Sequence, residues 1–331
     1  MTTRRRVLAA LGTLVLPRGA RAQTMGKMFR IGITSHSATS AELAGPQPQR
    51  PNVQAFLQAL RERGLVYGEH YVTEVRGGEA TPERYAALAI ELVGLRVDVI
   101  VSSGIMLSPL KKATSTIPIV MAAATDPVGE GFVRSLAQPG GNFTGMSHQI
   151  AETTGKRLEL LKELVPGAAS VAIIRGHDAG GVLTGRFAEA AARDRGWKLV
   201  SFEVRKTSDL ETAFKAAADA RAGAVLVAAG GPFFRHVPWI AELAARNRLP
   251  AMYPFREYTE AGGLVSYSSD LTAIWRRAAF FVDKIVKGAR PADLPVEQPT
   301  RFELVINLKT ARTLGLTVPP SLLLRADQVI E

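Results

Sequence analysis

From residue 28 onward, short apolar runs alternate with longer stretches in which apolar residues recur every three to four positions. Residues 29–34, 97–101, 117–124, 171–174, 224–228 and 250–253 are rich in Val, Ile, Ala, Leu and Met. Runs of that length and composition predict strands buried on both faces. Residues 71–76, 143–147, 198–204, 264–268 and 302–306 read as further strands. Between them, residues 52–63 set Val53, Phe56, Leu57 and Leu60 on one face and Arg61, Glu62 and Arg63 off it. That is an amphipathic helix, closed by Gly64 as its C′ residue. A second helix opens with Thr81 as N-cap and Pro82 at the first position. Others are expected over 107–114, 129–137, 152–164, 185–195, 208–220, 238–247, 270–287 and 308–314, and residues 319–331 are apolar enough to pack.

Strand and helix thus alternate through two consecutive series of similar size, divided near Ser147. This grammar implies an α/β protein of two lobes, each a parallel sheet flanked by helices, with a cleft between. The stretch 117–147 organises the first lobe. Its buried strand stops at Thr125-Asp126-Pro127, where proline cannot continue a ladder, and its end is a turn at Pro139-Gly140-Gly141-Asn142. In open α/β sheets, ligands sit outside the carboxyl ends of strands. Asp126 there either caps the following helix or faces a small ligand.

Charge changes the picture at one place. The chain has 331 residues, 41 Lys+Arg and 30 Asp+Glu. Arg4, Arg5, Arg6, Arg18 and Arg21 lie in the first 22 residues with no acid among them. A basic start, an apolar run over 7–16, Pro17 and the small-x-small site Ala20-Arg21-Ala22 make residues 1–22 a secretory signal peptide. Arg5-Arg6 resembles a twin-arginine signal, with Val7 and Ala9 in place of the usual Phe and Lys. Export to the periplasm is the expectation. The remaining basic residues are scattered without interleaved aromatics, so no nucleic-acid partner is expected. The absence of cysteine rules out disulfides, thiolate metal sites and a Cys nucleophile.

Catalytic and cofactor motifs are missing. There is no G-x-G-x-x-G, no G-x-x-x-x-G-K-[ST] and no H-E-x-x-H, and the five histidines are not spaced as ligands, so neither metal nor cofactor is expected. Gly145-Met146-Ser147-His148-Gln149 fails the G-x-S-x-G pattern at its last position. Pairing of Asp126 with Asp178 or Glu257 is the remaining acid–base arrangement, and it ranks below a binding reading. What is left is a set of strand ends. The first lobe offers Ser35, Ser103, Gly104, Thr125 and Asp126; the second offers His177, Asp178, Gly231, Phe233, Tyr253 and Phe255, to which Tyr267 is added. Hydroxyls and free backbone N–H groups suit a carboxylate, an Asp suits an ammonium, and aromatic rings suit a planar or apolar group. No catalytic residue is expected among them.

Four ordered blocks carry a family resemblance: residues 117–145, 254–267, 277–288 and 293–316, the last including Asp293-Leu294-Pro295-Val296-Glu297-Gln298-Pro299-Thr300. The mature chain resembles the ABC-transporter substrate-binding proteins of the tryptophan and tyrosine type. The resemblance implies the type I periplasmic binding fold, two Rossmann-like lobes joined by three crossovers near Ser147, Ser268 and residues 291–297. On that mapping lobe 1 comprises 28–146 plus about 271–290, and lobe 2 comprises 147–270 plus about 291–331. It further implies a monomer that captures a small ligand (an amino acid, aromatic or other small carboxylate), closes about its hinge and delivers it to a membrane ABC permease. The alternatives are a periplasmic sensing module for a membrane receptor and an exported enzyme on the same fold.

Overall fold

The computed structural model describes residues 27–79, 81–230 and 233–331. The signal peptide expected over 1–22 and the candidate Gly231 lie outside them. In chain order the first half contains β1 (Phe29–Ser35), α1 (Ser40–Leu43), α2 (Pro51–Glu62), β2 (Tyr71–Gly77), α3 (Pro82–Gly94), β3 (Val99–Ser103), α4 (Leu107–Ala113), β4 (Ile119–Ala124) and β5 (Phe143–Ser147). The second half contains α5 (Thr154–Leu164), β6 (Ser170–Gly176), α6 (Ala179–Asp194), β7 (Lys198–Val204), α7 (Asp209–Asp219), β8 (Ala224–Val227), α8 (Val237–Arg246), β9 (Ala251–Tyr253), α9 (Arg256–Glu260) and β10 (Val265–Ser268). Then follow α10 (Leu271–Val286), β11 (Glu303–Asn307), α11 (Leu308–Thr313), α12 (Pro320–Leu323) and β12 (Gln328–Ile330).

The strands form two sheets, ordered β2-β1-β3-β4-β5 and β12-β11-β10-β9-β8-β6-β7. All pairs are parallel except β10 with β11, which run antiparallel. The expectation of a wholly parallel second sheet is corrected at that one pair. β11 is reached through α10 and a long connection on the other lobe, and it enters the sheet from the opposite end.

Alternation along the buried strands sorts the core into layers. In the first lobe Ile31, Ile33, Val99, Val101, Val120 and Ala122 face one way, with Phe56 and Leu60 of α2. Ile100, Ile119 and Met121 face the other, with Leu92 of α3 and Leu107 and Leu110 of α4. In the second lobe Ala172, Ile174, Val225 and Val227 meet Phe214 of α7 and Ile240 of α8. Val171, Ile173, Ala224 and Leu226 meet Leu158 and Leu161 of α5 and Ala188 of α6. The amphipathic α10 follows a strand of the second sheet yet packs on the first. Its Ile274, Trp275, Ala278, Ala279, Phe281 and Val282 join the core under α2, with Trp275 edge-on to Phe56 at 6.4 Å. The edge strand β5 is closed by the return segment: Glu297 N–H donates to Gly145 O and Ser147 N–H to Glu297 O, each at 2.9 Å.

Local corrections have local causes. Residues 129–137 form turns rather than a helix. Asp126 Oδ1 accepts from Gly129 N–H at 2.8 Å, and Gly131 adopts φ +67°, which breaks the helical repeat. Thr81 and Ser208 precede α3 and α7 but make no side-chain cap. The helix expected from residue 185 begins at Ala179, because Asp178 caps it.

Candidate ligand-binding site

Strand order reverses between β1 and β3 in the first sheet and between β6 and β8 in the second. The carboxyl ends at such reversals are where open α/β sheets hold ligands. Here both reversals open into one cavity of about 120 Å³ between the lobes. Ser35, Ser103, Gly104, Thr125, Asp178 and Phe255 all line it, together with His36, Glu130, His148, Gly230, Phe234, Tyr258, Leu271 and Trp275.

On the first lobe, Ser35 Oγ accepts from the N–H groups of Ala38 at 3.2 Å and Ser37 at 3.4 Å, which leaves its proton to donate. Gly104 has φ +56°, a left-handed turn that carries the chain from β3 into a short 3-10 segment, Gly104–Met106. The buried His36 Nδ1 has no partner among the described residues. Burial, aided by the Arg50 charge, lowers the His36 pKa to about 4, so the ring is neutral. Glu130 is pushed up, first by burial and then by the carboxylates of Asp126 and Asp178.

On the second lobe, Asp178 Oδ1 accepts from Gly181 N–H at 2.8 Å as the cap of α6. Its Oδ2 is buried without a partner among the described residues. The fit around it is close: a Cβ on Gly181 would lie 2.3 Å from Gly176 O, and one on Gly230 about 3.0 Å from the Asp178 carboxylate. Phe234 and Phe255 meet edge to face at 5.8 Å and supply an apolar wall with Tyr258, Leu271 and Trp275.

His148 joins the parts. It lies just after β5, where its backbone N–H donates to Ala124 O at 3.0 Å. Ser269 Oγ donates to His148 O at 3.1 Å. Ile150 N–H donates to His148 Nδ1 at 3.1 Å. Nδ1 is therefore an acceptor, and the neutral ring carries its proton on Nε2, 3.4 Å from Thr125 Oγ1. Burial and the charge of Arg157 lower its pKa to about 4. A ring with Nε2 already protonated cannot take a proton from Thr125, so this pair supplies a donor rather than a base. Arg157 itself is fully buried, and its Nη2 donates to Ile150 O at 2.6 Å and Thr154 Oγ1 at 2.9 Å.

The other sequence candidates fall elsewhere. Asp126 caps its own turn and lies on the cleft rim beside Ala179, Val182 and Arg186. Phe233 and Tyr253 are core residues of the second lobe. Tyr253 stacks on Tyr258 at 5.2 Å. Tyr267 stacks on Phe302 at 5.9 Å, away from the cavity. His177 is exposed and does not line it. Sequence reasoning missed His36 and His148, each one residue beyond a strand end, and Glu130, which the helix expected over 129–137 concealed. Phe234 was missed by one residue in phase. Trp275 reads in the sequence as ordinary helix core. Among the described residues no group of three or more His, Cys, Asp or Glu is placed to hold a metal ion, and no helix is long and apolar enough to cross a membrane.

Residues 46–330 match the family described as ABC transporter substrate binding protein. A tyrosine-binding protein of Clostridioides difficile (strain R20291) is 23% identical over 265 residues, which cover 80% of this chain and 76% of that protein. Among solved structures, an ABC domain from Streptococcus pneumonia in complex with L-Trp superposes with a TM-score of 0.83 at 26% identity, covering 92% of this chain and 100% of that one. A conserved domain protein from Vibrio cholerae gives the same TM-score, 0.83, at 27% identity, covering 92% and 100%.

Proposed function

The chain belongs to the family of ABC transporter substrate-binding proteins, and on that premise we propose that it is an exported monomer of an ABC importer. It captures a small amino acid or aromatic carboxylate between its lobes and delivers it to a membrane permease. The observation that carries this reading is the single cavity at both strand-order reversals, lined from both lobes. The ligand contacts are Ser35, Ser103, Gly104, Thr125, Asp178 and Phe255, joined by His36, His148, Phe234 and Trp275. The L-Trp held by the Streptococcus pneumonia structure and the tyrosine named for the Clostridioides difficile relative support an aromatic amino acid. The basic, apolar start of the chain supports export. The moving bodies are residues 28–146 with about 271–297, and 147–270 with about 298–331. Residues 291–297, expected with the second lobe, go with the first, because Glu297 pairs with β5 and Val296 packs in the first lobe's core.

The test is a thermal-shift screen of residues 23–331, refolded to strip carried-over ligand. The panel holds amino acids, aromatic acids, dicarboxylates, sugars and nucleosides. A ligand at 100 times its Kd adds about 2.7 kcal/mol, and calorimetry then fixes the Kd. A hit among amino or aromatic acids is the expected result. Binding confined to sugars or nucleosides, or no binding at all, overturns the reading.

A further inference from the structure

Two carboxylates from opposite lobes line the cavity, and neither makes an ion pair among the described residues. Glu130 comes from the turn after β4, and Asp178 from the start of α6. The lobes meet closely beside them: a Cβ on Gly180 would lie 3.4 Å from Thr125 Cγ2. Asp178 spends Oδ1 on its helix cap, and its buried Oδ2 has no partner among the described residues. Glu130 makes no ion pair either: its Oε1 accepts from Asp126 N–H at 3.4 Å, and Lys111, which donates to its carbonyl oxygen at 3.1 Å, offsets the push on its carboxyl without pairing with it. Each acid therefore raises the free energy of bringing the other near, and Asp178 is among the charges that push the Glu130 carboxyl up.

Closing an empty cleft brings these like charges together in a poorly solvated space. A cation between them reverses the sign of that interaction. The cavity's other walls are neutral or apolar: Phe234, Phe255 and Trp275 on one part, with His36 and His148 both uncharged. We infer that the cleft selects ligands bearing a protonated amine, which sits between Glu130 and Asp178 and joins the two lobes, and that it rejects bare carboxylates of the same shape. This rests on the reading that the cleft is the solute site, and it narrows the ligand from small carboxylates in general to amines with an apolar or aromatic group. Capture and closure then become one event, because the group that binds is the group that removes the repulsion between lobes.

The experiment compares matched pairs by calorimetry at pH 7.5: L-tryptophan with indole-3-propionate, L-tyrosine with 3-(4-hydroxyphenyl)propionate, and L-phenylalanine with 3-phenylpropionate. Each pair differs only by the amine. The expected result is at least a 100-fold preference for the amine in the pair that binds. Asp178→Asn keeps the helix cap, since Asn caps as well as Asp, and so separates charge from folding. It and Glu130→Gln should each weaken the amino acid at least 10-fold and leave the deamino analogue within 3-fold. Equal affinity within a pair overturns the inference and leaves the solute-binding reading intact. Binding of an aromatic acid with every amino acid silent does the same, whereas binding confined to a sugar overturns both. If no compound on either panel binds, both fail together.

Discussion

The guanidinium of Arg235, carried by the second lobe, donates to the carbonyl oxygen of Ser37 in the first lobe across 3.3 Å. Arg50 Nη2 reaches the same oxygen at 3.5 Å and pairs with Glu42 at 3.2 Å. Arg235 is the neighbour in sequence of Phe234, which touches the cavity, so this contact exists only when the lobes are together. Arg235→Ala should weaken ligand binding by about 0.5–1.5 kcal/mol, the usual worth of one such hydrogen bond. Calorimetry should show the loss, and stopped-flow should place it in a faster off-rate. An unchanged Kd would mean the contact forms without holding the lobes.

His148 predicts a pH dependence. Its ordinary pKa is 6.5 and its folded value about 4, so the unfolded chain binds more protons between those values. The stability it contributes is complete above about pH 6.5 and is lost as pH falls toward 4. Glu257 works in the opposite sense, since burial pushes its carboxyl up to about 7 and its contribution grows as pH falls through 7. The parent's curve therefore mixes both. The difference between His148→Gln and parent isolates the histidine. From pH 8 to pH 5 the variant should gain about 2 kcal/mol relative to the parent in urea unfolding. A constant difference would show that His148 titrates normally.

Trp275 gives a spectroscopic handle. It is 2% exposed, lines the cavity and is one of three tryptophans. The other two, Trp197 and Trp239, do not line the cavity. A bound ligand should shift the intrinsic emission, and Trp275→Phe should remove most of that change while the protein still binds. A retained shift would assign it to lobe movement sensed elsewhere.

Gly145 is a backbone requirement. Its φ is +124° and a Cβ would lie 2.3 Å from Met121 O, where the β4–β5 register shifts. Gly145→Ala should destabilise by roughly 2–4 kcal/mol, measured by urea unfolding. A loss under 1 kcal/mol would mean β5 can slide away from β4.

Asp126 is expected to act on folding instead of binding. Its Oδ1 is committed to Gly129 N–H and it does not line the cavity between the lobes. Asp126→Ala should cost about 1 kcal/mol of stability, with the Kd for any cleft ligand changed less than 3-fold.

The legible parts of this fold were those written in repeating patterns. Runs such as Ile119 to Ala124 announce a buried strand because every residue is apolar, and the 3.6-residue stripe of α10 announces a helix. The strand ends then follow, which is why Ser35, Ser103, Thr125, Asp178 and Phe255 could be named. Phase was harder. Whether Phe233 or Phe234 faces the cleft depends on how a 3-10 turn over Phe233–His236 is wound, and no periodicity specifies that. Trp275 was illegible because its place in the apolar stripe of α10 marks it as core, and nothing local says that the same side chain also reaches the cavity. Its surroundings depend on contacts with residues more than two hundred positions away. Asp126 kept two readings in the sequence because a capping Asp and a ligand-facing Asp look the same until the turn is drawn.

That return path bears on how the protein is made. The five strands of the first sheet are complete at Ser147, but the face that covers Phe56 and Val120 waits for α10, which ends at Val286. A nascent chain therefore carries an open apolar surface on its first lobe while the whole central part of the second is being synthesised. The first lobe cannot finish before most of the second has been synthesised. Contacts of such long sequence separation slow folding. A truncation after residue 268 should leave one lobe uncovered, so neither half is an independent unit and the two must be completed together.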